Sequence, residues 1–260
     1  MKLFDSHCHL DDRVFKKDFD NVLQRAAEAG VEAVMIVGID LDSSKKAVAM
    51  AKSKEGFYAS TGVHPHDAKS CSEKRIKDLV ELADDPNVRA WGEIGLDFNR
   101  MYSPKAIQEK WFIRQLETAD SLDLPVIFHE RDSNGRLLEI LKSYSNHKRR
   151  GVVHCFSGSR DELVEYLDMG LSIGITGILT IKKRGAYLRG IVKDIPVERL
   201  LIETDAPYLT PAPEKNRTRR NEPAFVRSVL LKLAEVRKDE PEELAEKVWN
   251  NACRLYGIDS

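Results

Sequence analysis

Apolar, β-branched runs recur along the 260-residue chain at intervals of about 20 to 40 residues. The segments between them follow helical periodicity, as in the series Phe15, Phe19, Val22, Leu23 and Ala26. The eight runs lie at 2–9, 32–39, 57–64, 88–95, 125–130, 151–156, 171–178 and 199–204. The pattern predicts eight strands alternating with helices, within one domain spanning residues 1–260.

Helix start signals stand between these runs. Ser103 and Pro104 fit the N-cap and the first position of a helix, and Ser159 with Glu162 fits a capping box. Two more helices are expected to open at Asn221–Pro223 and at 239–242. Strands that alternate with helices pair in parallel through right-handed crossovers, so the sequence predicts an α/β fold.

Most of the seven histidines stand where an apolar run stops. His7 and His9 follow the first run, and on a strand two residues this far apart point to the same face. Imidazole or carboxylate side chains also close later runs, namely His64, Glu93, His129, His154 and Asp205. Neutral imidazoles and carboxylates are the groups that bind Zn, Mn, Fe or Mg, so the pattern indicates a metal-dependent hydrolase.

The positions of these candidate ligands distinguish between two α/β folds. They come from strands 1, 4, 5, 6 and 8, which in an open doubly wound sheet lie too far apart to reach one point. In a closed barrel the carboxyl ends of all strands converge, and enzymes of that fold keep their active sites there. We therefore expect a TIM-type (β/α)8 barrel of the metal-dependent hydrolase type.

Charge restricts how such a protein could bind nucleic acid. The net charge is −1, so the whole surface does not attract a polyanion through a general field. Any such binding must come from local basic loops, for which the candidates are Lys182–Arg184 and Lys215–Arg220.

The four cysteines lack CxxC spacing, which favours reduced thiols and a cytoplasmic location. Cys8 and Cys155 neighbour candidate ligands, but strand alternation is expected to turn them to the opposite face as packing residues. Strand 1 begins within three residues of the N-terminus, which leaves no room for a secretory signal. No apolar run approaches the ~20 residues of a membrane span, so no membrane association is expected.

Several motifs together resemble the TatD family of metal-dependent deoxyribonucleases within the amidohydrolase-type barrels. They are Asp5–Leu10, Gly62–Pro65, Gly92–Phe98, His154–Gly158, Glu203–Leu209 and Arg219–Pro223, in that order along the chain. The resemblance implies a TIM-type barrel, divalent-metal phosphodiester hydrolysis and 3′-to-5′ exonuclease activity on single-stranded DNA, with RNA also possible as a substrate. It implies Mg²⁺, whereas the imidazole content favours Zn²⁺ or Mn²⁺.

With the resemblance, the side chains are assigned to a two-metal site. One ion is expected on His7, His9, Glu93 and Asp205, and the second on Glu93, His129 and His154, so that Glu93 bridges. Asp205 is also expected to orient or deprotonate the attacking water. His64, Arg131, Arg219 and Arg220 are expected to contact substrate phosphate, Glu203 to support the site from inside the barrel, and His147 to lie on the opposite face.

Two other functions stay open at this point. The same metal pair could activate water against a carbonyl, as in an aminoacyl-tRNA deacylase or a cyclic amidohydrolase. A non-catalytic metal-binding barrel is the third interpretation. The oligomeric state is open, and a monomer is compatible with the sequence.

Overall fold

The structure, a computed structural model, describes residues 1–144 and 149–259, so the prediction for His147 lies outside the described residues. Eight parallel strands form one sheet in sequence order. They are β1 (Leu3–Cys8), β2 (Val31–Val37), β3 (Phe57–Thr61), β4 (Val88–Asp97), β5 (Val126–Arg131), β6 (Gly151–Val153), β7 (Ser172–Ile175) and β8 (Leu200–Ile202). Each coincides with one of the apolar runs, so the predicted (β/α)8 architecture is confirmed.

Helices fill the connections between the strands and follow the last one. They are α1 (Phe19–Glu28), α2 (Leu41–Ser53), α3 (Glu73–Ala83), α4 (Lys105–Leu122), α5 (Arg136–Ser143), α6 (Arg160–Asp168), α7 (Ala186–Ile191), α8 (Val226–Arg237) and α9 (Pro241–Tyr256). None of the described helices combines the length and the apolar character needed to cross a bilayer.

The sheet closes into a barrel between β8 and β1. The chain after β8 joins β1 through backbone hydrogen bonds from Asp205 N to the His7 carbonyl (2.9 Å) and from His9 N to the Ala206 carbonyl (2.8 Å). The buried Asp5 carboxylate adds a bond from Thr204 N at 2.8 Å. The Asp5 side chain thus replaces a backbone hydrogen bond between β1 and the chain that follows the short β8.

An irregularity in β1 determines which way its histidines point. Phe4 packs inside the barrel and Cys8 between strands and helices, although a regular strand would point both the same way. The pairing with β2 shifts between Asp5 and Cys8. Such a bulge re-aims the side chains that follow it, and here His7 and His9 both face the mouth of the barrel.

Two apolar layers support this mouth. The larger layer lies between strands and helices, and the smaller fills the barrel interior with Phe4, Met35 and Ile127 among its members. Helix α9 closes the interior from below, since Trp249 and Tyr256 each pack 5.9 Å from Phe4, centroid to centroid. Because the bottom is filled, the cavity at the carboxyl ends is the open end of the barrel.

The helix starts agree with the sequence in part. Ser159 and Glu162 form the predicted capping box of α6. Helix α4 begins one residue later than predicted, with Pro104 at the N-cap. Ser103 is instead buried, and its hydroxyl donates to the His66 carbonyl at 2.9 Å and accepts from Lys69 N at 2.9 Å. This serine ties the loop after β3 to the loop after β4.

Candidate metal centre

The six predicted metal ligands meet at the carboxyl ends of the strands. They are His7 and His9 from the end of β1, Glu93 in β4, His129 in β5, His154 after β6 and Asp205 after β8. They surround a cavity of about 610 Å³. Convergence of side chains so far apart in sequence is what a closed parallel barrel produces at this end.

Glu93 lies at the middle of the cluster. Its Oε2 is 3.4 Å from His7 Nε2 and 3.9 Å from His9 Nε2. Its Oε1 is 2.5 Å from His129 Nδ1 and 3.8 Å from His154 Nε2. One carboxylate oxygen thus faces the β1 histidines and the other faces the histidines of β5 and β6, as a bridging ligand requires.

Three sets of donor atoms are close enough to hold an ion, with all atoms of a set within 4.8 Å of one another. The sets are His7, His154 and Asp205; His7, His9 and Glu93; and His64, Glu93 and His129. Glu93 and His7 each belong to two sets. The donor chemistry fits divalent ions, because neutral imidazole nitrogens and carboxylate oxygens are the ligands that such ions take.

Two of the histidines are oriented by a contact through the second ring nitrogen. His9 Nδ1 lies 3.3 Å from the Val37 carbonyl, and His154 Nδ1 makes an ionic contact with Glu203 Oε1 at 2.8 Å. The Val37 carbonyl fixes the proton of His9 at Nδ1 and leaves its Nε2 lone pair free, and a carboxylate beside Nδ1, as at His154, is the usual support for a metal-binding histidine. The expected supporting role of Glu203 agrees with this geometry.

His7 supplies the test of whether an ion belongs here. Its ring is completely buried and stacks on that of His154 at 3.5 Å, and both of its nitrogens lack a hydrogen-bond partner. A buried polar atom without a partner is destabilising, and an ion on Nε2 would satisfy it. Burial and the adjacent His154 also lower the pKa of His7, which keeps the imidazole neutral and able to bind metal.

The carboxylates of the cluster are ionised. Burial alone would raise the pKa of Glu93, but the surrounding His64, His7, His154 and His129 hold it well below its usual range. Burial is likewise outweighed at Asp205, where the adjacent imidazoles of His9, His154 and His7 lower the pKa. Two fixed negative charges at the bottom of the cavity favour the binding of cations.

His64 lies deeper than a residue that contacts substrate only at the rim. Its Nε2 is 3.2 Å from His129 Nδ1 and 3.6 Å from Glu93 Oε1. Burial, with a contribution from His129, lowers its pKa well below the ordinary value. The ring therefore belongs to the cluster of candidate ligands, as the donor set of His64, Glu93 and His129 also indicates.

Asp97 and His66 form a part of the site that the sequence did not reveal. Asp97 is buried, and its Oδ2 lies 2.7 Å from His66 Nε2 and 3.4 Å from His129 Nε2. Its other oxygen accepts from Arg100 N at 2.7 Å. Alternation along β4 could have indicated Asp97, because it lies four residues after Glu93 and so on the same face.

The predicted phosphate contacts fall in three different places. Arg131 lines the central cavity, and Arg219 lines a smaller one beside it. Arg220 lines neither cavity. Its guanidinium pairs with both oxygens of Asp18 at 2.7 Å and packs over the Phe15 ring at 5.2 Å. The geometry therefore does not bring Arg220 to the centre with the other residues.

The two cysteines beside the ligands also differ from each other. Cys8 is buried in the outer apolar layer, as expected. Cys155 lines the central cavity instead, with its Sγ 3.5 Å from Thr176 Oγ1. Strand β6 ends at Val153 and Cys155 has a φ of 50°, so the alternation used to place it no longer holds. The expectation of an opposite face was wrong for Cys155.

A parallel (β/α)8 barrel with imidazoles and carboxylates gathered at its carboxyl end defines the class of metal-dependent hydrolase barrels. The family model described as TatD related DNase matches residues 4–257. The chain belongs to the TatD family, as its motifs predicted.

Individual relatives agree over the full length. The 3′-5′ ssDNA/RNA exonuclease TatD of Klebsiella pneumoniae (strain 342) is 43% identical over 259 residues, covering 99% of this chain and 98% of the relative. Its counterpart in Yersinia pseudotuberculosis serotype O:3 is 42% identical over 259 residues, covering 98% and 100%. The crystal structure of a TatD homologue from Escherichia coli K12 superposes with a TM-score of 0.91 at 31% identity, covering 99% and 98%.

Proposed function

We propose that the protein is a 3′-to-5′ exonuclease that hydrolyses single-stranded DNA, with single-stranded RNA as a second substrate. The observation that supports it most directly is the cluster of six candidate metal ligands with Glu93 at its centre, in a chain 43% identical to a relative named for that activity. The cationic Arg131 at the mouth of the cavity adds an anion contact that a phosphodiester requires.

The proposal includes two divalent ions. His7, His9, Glu93 and Asp205 would hold one, and Glu93, His129 and His154 the other, with Mg²⁺ as the ion the family favours and Mn²⁺ or Zn²⁺ as substitutes. Such ions, when bound, polarise a phosphoryl oxygen and lower the pKa of water. The shared Glu93, with an oxygen directed to each side, is the geometric support for a pair.

The protein's own residues would position and deprotonate the nucleophile. Asp205 Oδ1 lies 3.4 Å from His9 Nε2 and 3.8 Å from His154 Nε2, at the edge of the cavity. Because its pKa is lowered, Asp205 is ionised at neutral pH and can accept the proton of an attacking water. The bond from phosphorus to the oxygen of the retained strand would break as the water oxygen attacks, and that oxygen would take up a proton from solvent.

Three further residues are proposed to contact the substrate. His64 and Arg131 would contact the scissile phosphate, and Arg219 a phosphate further along the strand. All four cysteines are free thiols, which supports a reducing compartment such as the cytoplasm.

The test is hydrolysis of a single-stranded DNA labelled at its 5′ end. Stepwise shortening, with one nucleotide lost at a time, is expected for attack from the 3′ end. Internal fragments at early times would contradict the exonuclease, and rapid hydrolysis of an aminoacyl-tRNA or a dihydropyrimidine with DNA left intact would favour the carbonyl chemistry. The matched control is Glu93→Gln from the same purification, which should be inactive on every substrate and so excludes a contaminating nuclease.

A further inference from the structure

A second cavity of about 320 Å³ opens beside the metal centre. It lies between the loops that follow β7 and β8 and shares Arg184 and Leu209 with the central cavity. The remaining lining residues are Ile178, Ile181, Thr210, Lys215 and Arg219. The two cavities are therefore neighbours along one continuous surface.

The rim of this cavity has cations that the fold does not use. Within residues 1–144 and 149–259, the side chains of Arg184, Lys215 and Arg219 make no ion pair or hydrogen bond, and no carboxylate lines the cavity. Two other arginines in the same region are engaged by the fold: Arg220 binds Asp18, and Arg189 binds the carbonyls of residues 179, 181 and 182. The three free cations are thus available to an anionic ligand.

The walls of the cavity are preorganised. The Thr210 hydroxyl donates to the Arg219 carbonyl at 2.8 Å, which holds together the two ends of the loop after β8. Ala212 N donates to Thr180 Oγ1 at 2.8 Å, which fixes that loop to the one after β7. A cavity whose walls are already in place binds a ligand without the cost of ordering them.

The shape and chemistry together fit one nucleotide. Ile178, Ile181 and Leu209 provide an apolar surface for a base, and the cations of the rim provide contacts for phosphate. The central cavity has the carboxylates of Asp11, Asp12 and Asp67 beside the cations Arg100 and Arg131, whereas the charged residues that line the second cavity are all cations. A polyanion that passes from the metal centre over Arg184 is therefore attracted into the second cavity without meeting a carboxylate among its lining residues.

From this arrangement, and resting on the proposed exonuclease function, we infer that the second cavity binds the nucleotide on the 5′ side of the scissile phosphate. An enzyme that removes the 3′-terminal nucleotide must hold the retained strand while the terminal one occupies the centre. The cavity after β7 and β8 holds that strand. A dinucleotide without a 5′ phosphate places only a sugar and a base in the cavity, whereas a longer strand also brings a phosphate to the cations of the rim.

The experiment is a length series of single-stranded DNAs with a common 3′ end, from two to six nucleotides. For the wild type we expect kcat/KM to rise about tenfold or more once the added nucleotide fills the cavity, since hydrogen bonds to charged groups are strong. In Lys215→Gln/Arg219→Gln this rise should be lost. The matched control, Lys16→Gln/Lys17→Gln, removes two charges from exposed side chains in the loop after β1 that line neither cavity, and it should keep the rise.

Binding without turnover separates this inference from the proposed function. Fluorescence anisotropy of the same labelled DNAs in excess chelator should show the same length step for the wild type. The salt dependence of log Kd should flatten by about 0.7 for each phosphate contact removed by the substitutions. A length step in binding without any hydrolysis would contradict the exonuclease but keep the cavity assignment.

Two results would overturn the assignment. One is an unchanged length step in Lys215→Gln/Arg219→Gln, with circular dichroism confirming that the variant is folded. The other is an equal loss in both double variants, because a general positive field would then explain the effect without a nucleotide in the cavity. Both readouts apply whether or not the natural substrate is DNA.

Discussion

Replacing Gly95 with alanine should disturb the metal centre by displacing the backbone of the strands that carry its ligands. Gly95 lies in β4 two residues after Glu93 and pairs with His129 of β5. Its φ is 148°, and a Cβ built there would lie 2.0 Å from the His129 carbonyl oxygen and 3.0 Å from its backbone nitrogen. Both atoms it meets belong to the backbone of a buried strand, so neither can turn aside as a flexible side chain would.

The loss in the free energy of unfolding has two contributions. A non-glycine residue held at such a φ costs about 1–3 kcal/mol, and forcing extra volume into a packed interior costs about 1–3 kcal/mol more. We therefore expect Gly95→Ala to lower the free energy of unfolding by about 2–6 kcal/mol. If the strands separate to relieve the contact, His129 moves away from Glu93 Oε1, and the affinity for divalent ions should fall as well.

Urea unfolding combined with titration of a divalent ion measures both effects. Gly190→Ala is the matched control, because Gly190 lies in α7 and a Cβ there meets nothing within 4 Å. That variant should lose no stability and gain up to about 1 kcal/mol from the helix propensity of alanine. A Gly95→Ala protein that unfolds and binds ions like the wild type would refute the close approach of β4 and β5 on which the reasoning depends.

Other predictions follow from the same geometry. Excess chelator should abolish hydrolysis and added divalent ion should restore it; full activity with metal content near zero would contradict the metal mechanism. His64→Ala should lose turnover but keep two bound ions, and loss of one ion in a metal titration would instead assign His64 as a ligand. The Arg220 guanidinium lowers the pKa of the Asp18 carboxyl to about 2, so this pair stabilises the fold above about pH 4 and the contribution is lost as pH falls through about 2. The melting temperature of Asp18→Asn should therefore lie below that of the wild type at pH 7, with a gap that narrows below about pH 4; a pH-independent gap would contradict the ion pair.

The strands and their ligands could be predicted because they depend on short-range patterns. An apolar run of β-branched residues specifies a strand, and the polar residue that closes it lies at the carboxyl end in any parallel fold. His7, His154 and Asp205 stand at or just beyond the ends of β1, β6 and β8, whereas Glu93 and His129 lie inside strands that continue to Asp97 and Arg131. The closed barrel then follows, because no open sheet could bring these three ends together.

The residues that sequence misplaced depend on contacts that no local pattern contains. Arg220 is close in sequence to Arg219, yet its partner Asp18 is separated from it by 202 residues and lies in the loop after β1. Cys155 was assigned by strand alternation, but the strand had already ended two residues before it. For Cys155 a rule that holds inside a strand was extended into a loop, and for Arg220 the basic loop did not reveal the distant carboxylate. In both cases the tertiary partner decides the orientation.

The metal ligands were easier to predict than the substrate contacts for a physical reason. The groups that orient the ligands are themselves strand residues or their direct continuations, since Val37 ends β2 and supports His9, and Glu203 follows β8 and supports His154. Folding of the barrel therefore also fixes the orientation of the imidazole nitrogens that would bind metal. Arg184 and Arg219 come from the loops after β7 and β8, whose conformation depends on hydrogen bonds such as that between Ala212 N and Thr180. Substitutions in these loops can alter which strand is held, and how tightly, while the chemistry at the strand ends stays in place.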